Sequence, residues 1–260
     1  MRTLQEKELK IFFTIFLLSS FFVYWSTWGE ESNFLLVKAI VEEARFKIDS
    51  FFNQTGDRYI GNGHYYSDKD PGLAFLSTPV YFIWRSVYSS LFTLQKENGR
   101  YVEEVVGNVI RYINPGPFDL TSRIVLIIFT SSLFSALASL VFYKLLKFFG
   151  IRRSFRVIMS LFMGVGTPVF PYSLVFLRHS LTLFLSLLSF YLLLSTKNRK
   201  GIFLVGMLMG ICFVVNPPIA LIFFASFLFY TIRKRKQFPY IFIGFLLASA
   251  LEMIYWSTIC

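Results

Sequence analysis

Cysteine and histidine are nearly missing from this 260-residue chain, which has two of each. Cys212 and Cys260 lie in apolar segments, so no disulfide framework holds the fold. Charge is also thin: Asp, Glu, Lys and Arg make up 16% of residues, against about a quarter in soluble domains. With 55% hydrophobic residues and a mean hydropathy of +0.58, an ordinary soluble domain is excluded. The apolar runs are continuous and do not alternate, which excludes a membrane barrel. There is no internal repeat, low-complexity stretch or soluble domain.

What is present is a series of nearly uncharged stretches of about 20 residues, the length that crosses a hydrocarbon core. The chain reads as an all-α polytopic membrane protein, one domain over residues 1–260. Seven transmembrane helices are expected, at about 9–28, 122–146, 157–172, 177–195, 201–215, 218–232 and 238–258. Met1 to Lys10 followed by an apolar run mimics a signal peptide. However, Phe22-Val23-Tyr24-Trp25 stands where small cleavage-site residues belong, so the first helix is read as uncleaved.

The net charge of +11 invites a nucleic-acid partner, but its distribution argues against one. Lys144, Lys147, Arg152, Arg153 and Arg156 fill one short loop, Lys197, Arg199 and Lys200 a second, and Arg233 to Lys236 a third. None of these basic clusters contains an acidic residue. Short basic loops between spans mark the cytoplasmic side. The 29–121 loop, with nine Lys/Arg against twelve Asp/Glu, then lies outside, with the N-terminus in the cytoplasm and the plasma membrane as the setting.

That first extracytoplasmic loop is the most informative part of the chain. Ser32 is expected to cap an interfacial helix over about 33–46. Asn62-Gly63 predicts a hairpin pairing Arg58-Tyr59-Ile60 with His64-Tyr65-Tyr66. Asp70 is expected to cap the next helix, with Pro71 at its first position. Residues 72–95 compete as an eighth span, but Pro79, Arg85 and their amphipathic pattern favour a helix along the outer surface. Asn53-Gln54-Thr55 is a glycosylation sequon, compatible with an outside location.

Three groups carry candidate chemistry. Lys69 beside a helix start suits a phosphate; the bland alternative is a solvated lysine next to a capping Asp70. Glu30 and Glu31, at the mouth of the first span, suit a general base or form an ordinary acidic collar; Asp68 is a third carboxylate open to both readings. Arg178 and His179 head the fourth span, where an ionisable pair suits a site, or Arg178 merely snorkels. Glu252 lies inside the last span and needs a partner, with Asn216 the nearest expectation. All map to the outer half, as one extracytoplasmic site would, whereas a transporter places ionisable groups near the midplane.

The stretch Tyr65-Tyr66-Ser67-Asp68-Lys69-Asp70-Pro71-Gly72, the acidic pair after the first span, and Phe170-Pro171-Tyr172-Ser173 followed by His179 carry a resemblance. The chain resembles the GT-C superfamily of membrane glycosyltransferases, nearest to its protein O-mannosyltransferase and aminoarabinose-transferase group. The resemblance implies a polyprenyl-phosphate (dolichyl-type) sugar donor and a lipid, glycan or protein acceptor, with inverting transfer on the outer face. It implies Glu30 or Glu31 as the base and Lys69 as the phosphate anchor; Asp68 stays a further catalytic candidate from the residues alone. Tyr66, Arg178 and His179 are expected to assist in binding. Mg²⁺ or Mn²⁺ is a candidate cofactor, though no ligand spacing demands either. The family pair usually opens with Asp, where this chain has Glu30. Relatives are longer, so the chain reads as a fragment, half of a split gene or a degenerate member. The rival readings are a polyprenyl-lipid binding or flipping protein, a non-catalytic partner subunit of a longer transferase, and, least supported, a channel or transporter.

Overall fold

The computed structural model describes residues 2–24, 27–92, 105–106, 109–110, 116–232 and 238–259. The expected basic loop at Arg233 to Lys236 and Cys260 lie outside the described residues.

The protein is mostly helical. In chain order come α1 (Arg2–Phe21), α2 (Trp28–Glu43), a 3-10 turn (Asp49–Gln54), β1 (Arg58–Gly61), β2 (His64–Ser67) and α3 (Gly72–Leu91). Two short strands follow, β3 (Val105–Val106) and β4 (Val109–Ile110). Then come α4 (Pro117–Ile127), a π turn (Ile128–Ser132), α5 (Leu133–Phe148), α6 (Arg153–Val165) and α7 (Val169–Ser173). The chain closes with α8 (His179–Ser195), α9 (Arg199–Val215), α10 (Pro217–Ile232) and α11 (Phe238–Ile259).

Among the described residues two helices are long and apolar enough to cross a bilayer: Pro117–Phe148, which runs through the π turn, and Phe238–Ile259. His179–Ser195 and Pro217–Phe229 are apolar but shorter. That is a weak mark of a membrane protein, because a buried core helix passes the same measure. Several expected boundaries are corrected. The first helix stops at Phe21, not at 28, and the next helix, α2, starts at Trp28. The expected span at 157–172 is cut in two: Gly166 and Pro168 separate the 13-residue α6 from the five-residue α7.

Helix α2 is also more deeply packed than an interfacial helix. Phe34, Leu35, Leu36, Val37 and Ala39 of α2 are all fully buried, so α2 is a core helix and not a surface one. Its cap is Thr27, not Ser32, which is itself buried. The hairpin forms between the expected segments, with Tyr59 opposite Tyr66 and Ile60 opposite Tyr65. Its turn has Asn62 at φ 52° and Gly63 at φ 77°, the positive pair that a two-residue connection needs.

Helix α3 buries Gly72, Leu73, Ala74, Ser77 and Tyr81 and leaves Leu76, Phe82, Ile83, Val87 and Leu91 exposed, an apolar outer face around Pro79. A Cβ on Gly72 would lie 2.6 Å from the Val214 carbonyl, so only glycine lets α3 start against the end of α9. Helices α9 and α11 approach just as closely. Gly206 and Gly210 sit one turn apart against the Ile241 and Phe245 backbones, and Gly244 faces Phe203. Small residues four apart replace side-chain packing with backbone contact, the device by which helices associate in lipid.

Candidate functional site

The site is assembled on the start of α2. Thr27 Oγ1 accepts the Glu30 N–H at 3.3 Å, and Glu30 Oε2 accepts the Thr27 N–H at 2.9 Å, a reciprocal capping box. The other oxygen, Glu30 Oε1, accepts the Phe176 N–H at 2.9 Å. Glu30 is thus fully buried and joins the α2 start to the 174–178 segment. Glu31 turns the opposite way, where both its oxygens take Arg123 of α4, at 2.5 and 2.7 Å. Glu31 and Arg123 are 7% and 6% exposed, and the guanidinium lies 4.7 Å from the Phe34 ring centre. The acidic pair therefore has no solvent-facing carboxylate.

The accessible acid lies in the 64–72 segment. Asp49 positions this segment by accepting the Tyr65 N–H at 2.7 Å and meeting His64 Nδ1 at 2.8 Å. Burial opposes the Asp49 charge, but these bonds outweigh it and hold its pKa below the ordinary aspartate value. Tyr66 is 3% exposed, on the inner side of the hairpin, and burial followed by the charge of Asp49 raises its phenol pKa. It is a packing residue in this arrangement.

Ser67 and Ser32 share a hydrogen bond of 2.8 Å, and Ser32 Oγ also donates to Asp68 Oδ1 at 3.3 Å. These two serines seat the exposed Asp68 on α2. Lys69 Nζ meets Asp68 Oδ2 at 3.0 Å and Asp57 Oδ2 at 2.8 Å. Asp57 is held by Thr55, whose hydroxyl accepts the Asp57 N–H and donates to the Trp28 carbonyl, each at 3.1 Å. Thr55 is fully buried, so the sequon threonine has a structural duty. Gly29 gives Lys69 its room: a Cβ there would sit 3.2 Å from Lys69 Cε. Burial works against the Lys69 ammonium, yet the hydrogen bonds and charges of Asp57 and Asp68 prevail and raise its pKa above the ordinary lysine value.

Arg178 arrives from the other side. The π turn presents Ser131 and Ser132 in succession, and they donate to the Leu177 and Ser173 carbonyls at 3.5 and 3.0 Å. A π turn inserts one extra residue per turn and often marks a site. Ser173 also bonds Ser19 of α1 at 2.8 Å, and the Tyr24 N–H donates to the Leu174 carbonyl at 2.9 Å. So braced, the segment delivers Arg178 onto Asp70 in an ion pair. Asp70 consequently does not cap α3, whose start at Pro71 has no side-chain cap. Arg178 is within electrostatic reach of Asp68 and Glu252. Glu252 does not pair with Asn216; its Oε1 accepts the Trp256 indole N–H at 2.6 Å, one turn along the same helix.

His179 turns away from this cluster. Its ring centre lies 4.2 Å from that of Tyr172 at a tilt of 47°, and the two line a cavity of about 160 Å³ with Pro168, Val169, Ser180 and Leu183. The fold thus unites Asp68, Lys69, Arg178 and the anchoring Glu30 around one spot. It sets Glu31 and Tyr66 behind it and His179 beside it.

Arg123, Asp57, Thr27 and Ser32 were missed as site builders. Arg123 had a signal, since an arginine at the start of an apolar span needs a buried acid. Asp57 had none, because only the folded 55–58 turn brings it to Lys69. Among the described residues no group of three or more His, Cys, Asp or Glu is placed to hold a metal ion. What remains is a lysine flanked by two carboxylates, with an arginine close by. No protein-family model, curated protein or solved structure matches this chain.

Proposed function

We propose that the protein is an integral membrane glycosyltransferase of the GT-C type. It moves a sugar from a polyprenyl-phosphate donor to an acceptor hydroxyl at the outer face of a seven-span bundle. The observation that carries this reading is the joining of Asp68, Lys69 and Arg178 at the α2 start, in a chain otherwise dominated by apolar helices. An ammonium has three donors, and Asp57 and Asp68 engage Lys69 Nζ from two directions. The third donor is left for a phosphate oxygen, with Arg178 held on the neighbouring Asp70.

In the proposed step the acceptor oxygen attacks the anomeric carbon as its proton passes to Asp68. The bond to the phosphate oxygen breaks, and polyprenyl phosphate leaves with the electron pair, its charge met by Lys69. A placed base contributes about 10²–10⁴ in rate. Asp68 takes this role because it is exposed, whereas Glu30 and Glu31 hold the α2 start in place.

The same engagement of Glu30 and Glu31 favours a second reading, a polyprenyl-lipid binding or partner protein that does not transfer. Membranes incubated with a panel of radiolabelled polyprenyl-phosphate sugars separate the two. Label moving from lipid to a polar product supports transfer, and label retained on intact lipid supports binding alone. Neither, across the panel, rejects both.

A further inference from the structure

The turn between α5 and α6 is built against electrostatic preference. Gly150, at φ 73°, lets the chain reverse tightly, with the Gly150 N–H on the Lys147 carbonyl and the Ile151 N–H on the Leu146 carbonyl. Helix α6 then starts with Arg152 at its cap position, no side-chain cap and no acid in the first turn. Arg153 and Arg156 add to the positive end of the helix dipole, and Lys144 and Lys147 close the preceding helix. Cations at a helix start are unfavourable, and the uncapped N–H groups suit an anion. Of the acids on the neighbouring α1, neither Glu6 nor Glu8 forms an ion pair with Arg152 or Arg156 among the described residues.

Two further features point to an occupant. Tyr143, under this turn, is fully buried, yet its hydroxyl has no hydrogen-bond partner among the described residues. The Arg156 guanidinium sits 5.1 Å from the Tyr143 ring centre, and the buried Arg156 Nε likewise lacks a partner there. Buried polar atoms are rarely left so. Around the basic cluster, Phe148, Phe149, Ile151 and Phe155 are all more than 40% exposed. An anion site ringed by exposed apolar side chains belongs at a lipid surface, not in bulk water.

We propose that the α5–α6 turn binds the phosphate of an anionic phospholipid, held by the α6 start, Arg152 and Arg156, with Tyr143 beneath. The site is independent of the sugar-transfer reading and requires only that the turn lie at a bilayer surface.

The test is native mass spectrometry and thermal unfolding of the full chain in zwitterionic detergent. Phosphatidylglycerol, phosphatidylcholine or inorganic phosphate is added in separate arms. Phosphatidylglycerol should be retained and should raise the unfolding temperature, and the other two should not. Arg156→Gln and Arg152→Ser should each weaken retention about fivefold, the loss expected per basic residue at an anionic surface. Arg152→Ser also supplies the missing cap, so without anionic lipid it should unfold about 2–4 °C higher than the wild type. This variant keeps the test decisive should Arg156→Gln fail to fold. Lys200→Gln, in a different basic turn, should leave retention unchanged. Equal weakening by Lys200→Gln, no weakening by either arginine variant, or equal stabilisation by inorganic phosphate would overturn the proposal.

Discussion

Glu31 holds both terminal nitrogens of Arg123 across 92 residues of chain, at 2.5 and 2.7 Å, in a pair almost sealed from solvent. The pair ties the start of α2 to α4. Removing one partner leaves a buried charge uncompensated, which costs about 3–5 kcal/mol. Glu31→Gln is therefore expected to lower the unfolding temperature sharply in detergent. Asp68→Asn, at an exposed position, should leave it within error. An unfolding temperature for Glu31→Gln equal to the wild type would mean that the pair does not hold these helices.

The contact between α9 and α11 depends on glycine. A side chain on Gly206 would run into the Ile241 carbonyl, which cannot move without shifting α11. Gly206→Val is expected to cost about 1–3 kcal/mol, the usual range for overpacking. Chemical denaturation in mixed micelles measures it, and an unchanged midpoint would contradict the close approach.

Acid should loosen the hairpin before the bundle. The Asp49 pKa is lowered in the folded chain, so the unfolded chain binds more protons as the pH falls, and stability falls with it. The Asp49 contribution is complete above its ordinary value of 3.8 and is lost as pH drops through its lower folded value. In Asp49→Asn the decline in stability below about pH 4 should be shallower. Unfolding temperatures between pH 2 and 6 decide, and parallel curves for the two proteins would argue against it.

The 29–121 segment should lie on one side of the membrane. Reporter fusions near residue 60 and near residue 110 are expected to give the same, extracytoplasmic signal. Opposite signals would make α3 a crossing helix and would reverse the placement of Lys69.

Much of the local structure was readable from the residues. Asn62-Gly63 specified the hairpin, because few residue pairs accept two successive positive φ values. Apolar length located α8 through α11 to within about two residues. Tertiary choices were not readable. Asp70 is as good a cap as Ser or Asn in sequence, but Arg178, 108 residues away, takes its carboxylate instead. The apolar positions of α2 looked like a membrane-facing stripe, and nothing local says that α3 and α4 cover them. The acidic pair read as a base or as an ordinary acidic collar, and only the folded chain brings Arg123 and the Phe176 N–H to it.

The central claim is that Lys69 grips a polyprenyl phosphate while Asp68 deprotonates the acceptor. Purified wild-type, Lys69→Ala and Asp68→Asn proteins in nanodiscs, given one labelled polyprenyl-phosphate sugar selected from the panel, test it directly. The wild type should release label, Asp68→Asn should retain the labelled lipid without releasing it, and Lys69→Ala should do neither. Release by Lys69→Ala at the wild-type rate would contradict the account.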